Sequence, residues 1–98
     1  MATIDIRRSH TLDKEEARRR AETLAKGMEE KLGIRWQWDG DKITFDAPGG
    51  AAKGAKGAVY VDPQHVRVEV DLPLLLRAAK GMVEGKINQK LEEVLGKS

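Results

Sequence analysis

The chain has no cysteine. That absence removes a disulfide framework, thiolate zinc sites and cysteine nucleophiles, and it is compatible with a reducing cytoplasm. Aromatic residues make up 4% of the 98 residues, while charged residues make up 35%. Such a ratio fits a small domain with an aliphatic core and a heavily solvated surface. Long apolar runs are missing too. The longest aliphatic run is Leu74-Leu75-Leu76, far short of the ~20 residues a membrane span needs. Met1 to Asp5 lacks the charged start and apolar stretch of a signal peptide, so a soluble, cytoplasmic protein is expected. Neither charge sign dominates. Eighteen Lys and Arg stand against sixteen Asp and Glu, a net of +2. The acidic residues are interspersed with the basic ones, which disfavours a polyanion partner such as nucleic acid. The length implies one domain over residues 1–98, burying roughly 60–65% of its unfolded surface.

What is present is an ordered pattern of hydrophobic periods. Ile4 and Ile6 alternate with Asp5 and Arg7, a strand signature. Asp13 is a good N-cap, and Glu16 three residues on gives a capping-box spacing. Ala17, Ala21, Leu24, Ala25, Met28 and Leu32 then form one helical stripe, and Gly33 suits the C-cap. Ile34, Trp36 and Trp38 alternate again. Gly40-Asp41 fits a two-residue type II′ turn, which pairs Asp39 with Lys42, Trp38 with Ile43 and Trp36 with Phe45. Ala47 to Gly57 is rich in Gly, Ala and Lys and reads as a mobile loop. A second hairpin follows, with Val61 opposite Val66 and Val59 opposite Val68. Pro73 sits well as the first residue of a last helix. Its stripe is Leu76, Ala79, Val83, Ile87, Leu91 and Val94, with Gly96 as terminator.

This order predicts an α+β fold: a two-layer β-α-β-β-β-β-α sandwich. Five largely antiparallel strands form a 2-3-4-5 meander with strand 1 beside strand 5, and two helices cover one face. Trp36, Trp38, Ile43, Val59, Val68, Ile87 and Leu91 are expected in the core. A continuous last helix of about 23 residues would span roughly 34 Å, more than the sheet's width of about 20–24 Å. It must cross diagonally or overhang an edge. The arrangement looks like a shortened helix-grip architecture.

Catalytic chemistry finds little material. Ser9-His10 and His65 are the Ser/His candidates, but neighbours on an extended chain point apart and no nucleophile elbow is present. They read as surface residues at strand ends. Two lone histidines and scattered carboxylates lack metal-ligand spacing, and Asp39-Gly40-Asp41 reads as hairpin chemistry. The expectation is a non-enzyme without cofactor or metal. Arg18, Arg19 and Arg20 lie beside Glu15, Glu16 and Glu22, where helical ion pairing is expected. Lys53 and Lys56 sit among glycines that lack the Gly-Lys-Ser/Thr ending of a phosphate loop.

The sharpest feature outside the core is on the last helix. Leu74, Leu75, Ala78, Gly81, Met82 and Gly85 form a second surface, apolar or small. On a 100° wheel Leu74, Ala78, Gly81 and Gly85 fall within about 60°. Either helix 1 packs there and needs the small residues, or a partner does. Leu74, Ala78, Gly81, Met82 and Gly85 are therefore the candidate partner surface.

The chain also resembles a known family. The carrying segments are Thr3-Ile4-Asp5-Ile6-Arg7-Arg8 leading into Glu15 to Glu22, then Trp36-Gln37-Trp38-Asp39-Gly40-Asp41. Val66 to Leu72 follow, running into Leu75-Leu76 and Lys80-Gly81. Together they are similar to the small bacterial polyhydroxyalkanoic acid system (granule-region) proteins. The resemblance implies a cytoplasmic accessory linked to storage-polyester granules. With the surface on the last helix, the expected partners are a granule surface, a granule-associated protein or a second copy. It supplies no catalytic or binding residues. Two other readings stay open: a small carrier of apolar ligands with a helix-grip-like pocket, and a nucleic-acid-binding regulator.

Overall fold

The structure is a computed structural model that describes residues 3–49 and 53–95. Its elements are β1 (Ile4–Ser9), α1 (Lys14–Leu32), β2 (Arg35–Asp39), β3 (Lys42–Asp46), β4 (Lys56–Val61), β5 (His65–Asp71), a 3₁₀ segment (Leu74–Ala79) and α2 (Lys80–Leu95). The strands form one antiparallel sheet in the order β1-β5-β4-β3-β2. Both hairpin registers are those the alternation demands. Trp38 faces Ile43 and Trp36 faces Phe45, while Val59 faces Val68 and Val61 faces Val66. A slip of one residue would turn every valine to the solvent face.

Local chemistry fixes the ends. The Asp13 carboxylate accepts the Glu16 backbone N–H at 2.8 Å and starts α1. Glu16 does not close the box. Its carboxylate instead accepts from Arg19 and Arg20, both at 2.8 Å. Gly33 ends α1 in the left-handed region at φ 71°, and its N–H donates to the Glu29 carbonyl. Gly40 alone takes positive φ in the β2–β3 turn, as a type II′ turn requires.

Both helices pack on one side of the sheet. Ile4, Leu24, Ile43, Val59, Val66, Val68, Ile87 and Leu91 are completely or almost completely buried between the layers. Gly27 of α1 lets the Lys90 stem of α2 cross closely, because a Cβ there would lie 2.3 Å from Lys90 Cε.

Three expectations change. Trp36 and Trp38 are half-buried rather than buried. They lie on the edge strand, where each indole N–H donates to an α1 carboxylate, Glu29 and Glu22 respectively, both at 2.9 Å. The indole nitrogen needs a partner, and the sheet edge is where one is reached. The expected Ala47–Gly57 loop is shorter. Strand β4 begins at Lys56, and Ala47 and Ala55 are already bonded through the backbone. Residues 50–52 of that loop, and Gly96 as terminator, lie outside the described residues. Finally, the last helix is not one α-helix. Pro73 is the extended cap, the next six residues are 3₁₀, and α2 itself has 16 residues. Sixteen residues at ~1.5 Å reach about 24 Å, which matches the sheet's width. The 3₁₀ segment carries the excess length, and none of its residues is buried.

Candidate interaction surface

Large apolar side chains exposed to solvent are confined to one place among the described residues. Leu74 is 78% exposed, Leu75 93% and Met82 57%. Ala78, Gly81 and Gly85 are exposed beside them. A Cβ built on Gly81 or Gly85 would meet nothing within 4 Å. Helix α1 therefore does not pack on this surface. It meets α2 on another face, through Met28, Leu32, Ile87 and Lys90.

The line of the surface differs from the wheel projection. Leu74 and Ala78 belong to the 3₁₀ segment, where residues three apart eclipse. Leu74 therefore stacks over Arg77, and Leu75 over Ala78. The expected straight ridge is broken at the junction with α2, while its residues remain on the outside. Leu76 alone of the three leucines turns inward and packs against the core. The backbone bond from Leu76 N–H to the Pro73 carbonyl, 2.9 Å, sets that direction. The cations Arg77 and Lys80 stand within the same stretch, both exposed. Counting only apolar and small residues on a wheel passes over them. The signal was available, since no acidic residue occurs between Asp71 and Glu84.

The other candidates have structural employment. His10 Nδ1 accepts the Leu12 N–H at 3.2 Å, so Nε2 carries the proton and donates to the Asp62 carbonyl at 2.9 Å. His65 pairs with Ser9 across β1 and β5, but no hydrogen bond joins their side chains among the described residues. The Asp62 carboxylate accepts the backbone N–H groups of Gln64 and His65, and the first of these bonds holds its pKa below the usual range. Arg18 reaches the Gly40 carbonyl and the Asp41 carboxylate and lies 4.1 Å over the Trp38 ring. Arg19 and Arg20 pair with Glu16. No cluster of metal-ligating side chains occurs among the described residues.

The outer face of the sheet carries a wide groove of about 930 Å³, bordered by Gln37, Thr44, Ala58, Tyr60 and Glu69. Several charges on this face of the sheet are paired. Arg67 forks onto Asp5 with both bonds at 3.1 Å and also meets Glu69 at 2.6 Å. Arg35 holds Asp46 at 3.0 Å. These guanidiniums lower the Asp5 and Asp46 pKa values, and the bond to Glu69 raises that of Tyr60.

Residues 4–95 match the family described as "Putative polyhydroxyalkanoic acid system protein". The chain belongs to that family. No curated protein matches it. Among solved structures, the crystal structure of TTHA0849 from Thermus thermophilus is similar, with a TM-score of 0.60 and 16% identity. The alignment covers 94% of this chain and 95% of that one. At that identity the likeness concerns the fold alone. For this polyhydroxyalkanoic acid system family member, no helix of the described residues is long and apolar enough to cross a membrane.

Proposed function

We propose that this polyhydroxyalkanoic acid system family member is a non-enzymatic accessory that works by contact, at storage granules in the cytoplasm. The contact face is the outer side of the 3₁₀ segment and the first turns of α2. One observation carries this reading: among the described residues, Leu74, Leu75 and Met82 are the large apolar side chains left in solvent, and they fall within nine residues of one another. Exposed apolar groups gathered in one patch mark a contact site more often than scattered ones. Gly81 and Gly85 support it. Each weakens the helix by roughly 1 kcal/mol relative to alanine, and neither makes room for a neighbour among the described residues. A close approach from outside gives them a purpose.

The non-enzymatic part of the reading is supported by the histidines, whose ring atoms or neighbours hold turns. The carrier and nucleic-acid readings lack a comparable observation. The space between sheet and helices is occupied by packed aliphatic side chains, and the guanidiniums facing the outer groove are held by carboxylates.

The experiment is fractionation of polyester granules from cells expressing the wild type, Leu75→Asp or Gly85→Leu. Both positions are exposed, so both variants should keep the fold by circular dichroism. The wild type is expected with the granules and the variants in the soluble fraction. A wild type absent from granules, or folded variants that still attach, would overturn the proposal.

A further inference from the structure

We infer that the Leu74–Met82 stretch is an interfacial anchor for an anionic lipid surface. This rests on the contact face proposed above and names its occupant. The first ground is the pairing of apolar and cationic groups. Leu74, Leu75 and Met82 project into solvent. The charged residues between Asp71 and Glu84 are Arg77 and Lys80 alone. Among the described residues neither lies within ion-pair distance of a carboxylate, whereas Arg18, Arg20, Arg35 and Arg67 all do. A further exposed cation, Lys53, adjoins Gly54, whose Cβ direction meets the Pro73 ring at 3.1 Å. Positive charge thus gathers at the end of the molecule where the leucines emerge.

Geometry is the second ground. The 3₁₀ turn stacks Leu74 over Arg77 and Leu75 over Ala78. Leu74 and Arg77 then share one row of this short segment, and Leu75 stands on the row beside it. The leucines can enter an apolar layer while the long stems of Arg77 and Lys80 carry their charges back to its polar boundary. That is the chemistry of an element lying in a lipid interface.

Other occupants fit less well. A second copy meeting this face symmetrically would crowd the Arg77 and Lys80 charges of both protomers into one small interface. A stable protein partner engages about 20–30 residues a side around pockets that seat anchors. This patch is small and convex, and Leu75 at 93% exposure sits on a projection, not in a pocket. A fluid surface demands no shape complementarity.

The test is co-sedimentation of the purified protein with vesicles of phosphatidylcholine alone and of phosphatidylcholine mixed with phosphatidylglycerol. The wild type should bind the anionic vesicles, and less as salt is raised. Arg77→Gln and Lys80→Gln should each weaken binding by about fivefold. Leu75→Asp should abolish it while circular dichroism stays unchanged. Because the chain has no cysteine, an environment-sensitive dye on Ala78→Cys reports only this face, and its emission should shift to that of an apolar medium. Equal binding to neutral vesicles, no binding to anionic ones, or binding that survives Leu75→Asp would overturn the inference. If Leu75→Asp releases the protein from granules yet the wild type ignores vesicles, the anchor falls while the contact face stands, its occupant being a protein or the polymer. If vesicles bind but granules do not, the anchor stands and the granule reading falls.

Discussion

A Cβ built on Gly57 would lie 2.0 Å from the Glu69 carbonyl oxygen and 2.8 Å from the tip of the Phe45 ring. Neither neighbour can retreat. The carbonyl belongs to the adjacent strand, and the ring is packed over the glycine as its cross-strand partner. Gly57→Ala should therefore destabilise the fold by about 3 kcal/mol, the upper range for overpacking. Gly81→Ala and Gly85→Ala should do the reverse, each stabilising by up to about 1 kcal/mol through helix propensity alone. Urea denaturation of the three variants checks both signs. The contrast also shows what a residue list conceals. Read in sequence, Gly57 belongs to a glycine-rich loop and Gly81 and Gly85 look like candidates for tight helix packing. In space the assignments exchange. Close approach at Gly57 comes from Glu69, distant along the chain, and no local pattern announces a neighbour set by strand pairing.

Elements are tied together by groups whose local meaning is different from their tertiary one. Arg20 sits four residues after Glu16, an ordinary helical ion pair at 2.8 Å. Its other guanidinium nitrogen donates to the Val94 carbonyl near the end of α2. One arginine thereby satisfies a terminal helix carbonyl and clamps α1 to α2, with Glu16 holding it in place. Arg20→Met keeps the apolar stem and removes both bonds. It should cost about 1 kcal/mol, since a charge-assisted bond is worth more than a neutral one but this side chain is partly solvated. A matching Glu16→Gln variant should lose less, and thermal melts of the two single variants and the double variant would show the coupling. Lys14 and Arg18 make a second tie, binding the Asp41 carboxylate at the β2–β3 turn, both at 2.9 Å. The element order, the hairpin registers and the caps at Asp13 and Gly33 were legible because each depends on residues within a few positions. The 3₁₀ start of the last helix was not. Leu74 to Ala79 has good helical composition, and the tighter winding reflects how little of it the core covers.

At the scale of the whole molecule, the sandwich has an apolar interior layer and an outer face of matched charge, and that division determines how it responds to acid. Asp5, Glu22, Asp41, Asp46 and Asp62 all have pKa values lowered by donors the fold supplies: Arg67, the Trp38 indole, Lys14, Arg35 and the Gln64 backbone N–H respectively. Several of these donors bridge different elements: Arg67 joins β5 to β1, Lys14 joins α1 to the β2–β3 turn, and Arg35 joins β2 to β3. The unfolded chain scatters them, so its carboxylates titrate near their ordinary value of about 4. A carboxylate with a depressed folded pKa binds fewer protons folded than unfolded in the window between the two values. Stability therefore falls as pH drops through that window, and the contribution is complete above it. The melting temperature should be nearly flat from neutral pH down to about pH 5 and then decline steeply below about pH 4. Asp5→Asn should flatten the acid limb, since Arg67 then loses its forked partner at every pH. High salt should change the limb only modestly, because most of these carboxylates are engaged through hydrogen bonds at 2.9–3.2 Å rather than through long-range attraction. A melt series in which stability rises on acidification, or in which Asp5→Asn leaves the limb unchanged, would mean that the charged face contributes nothing to holding the sheet together.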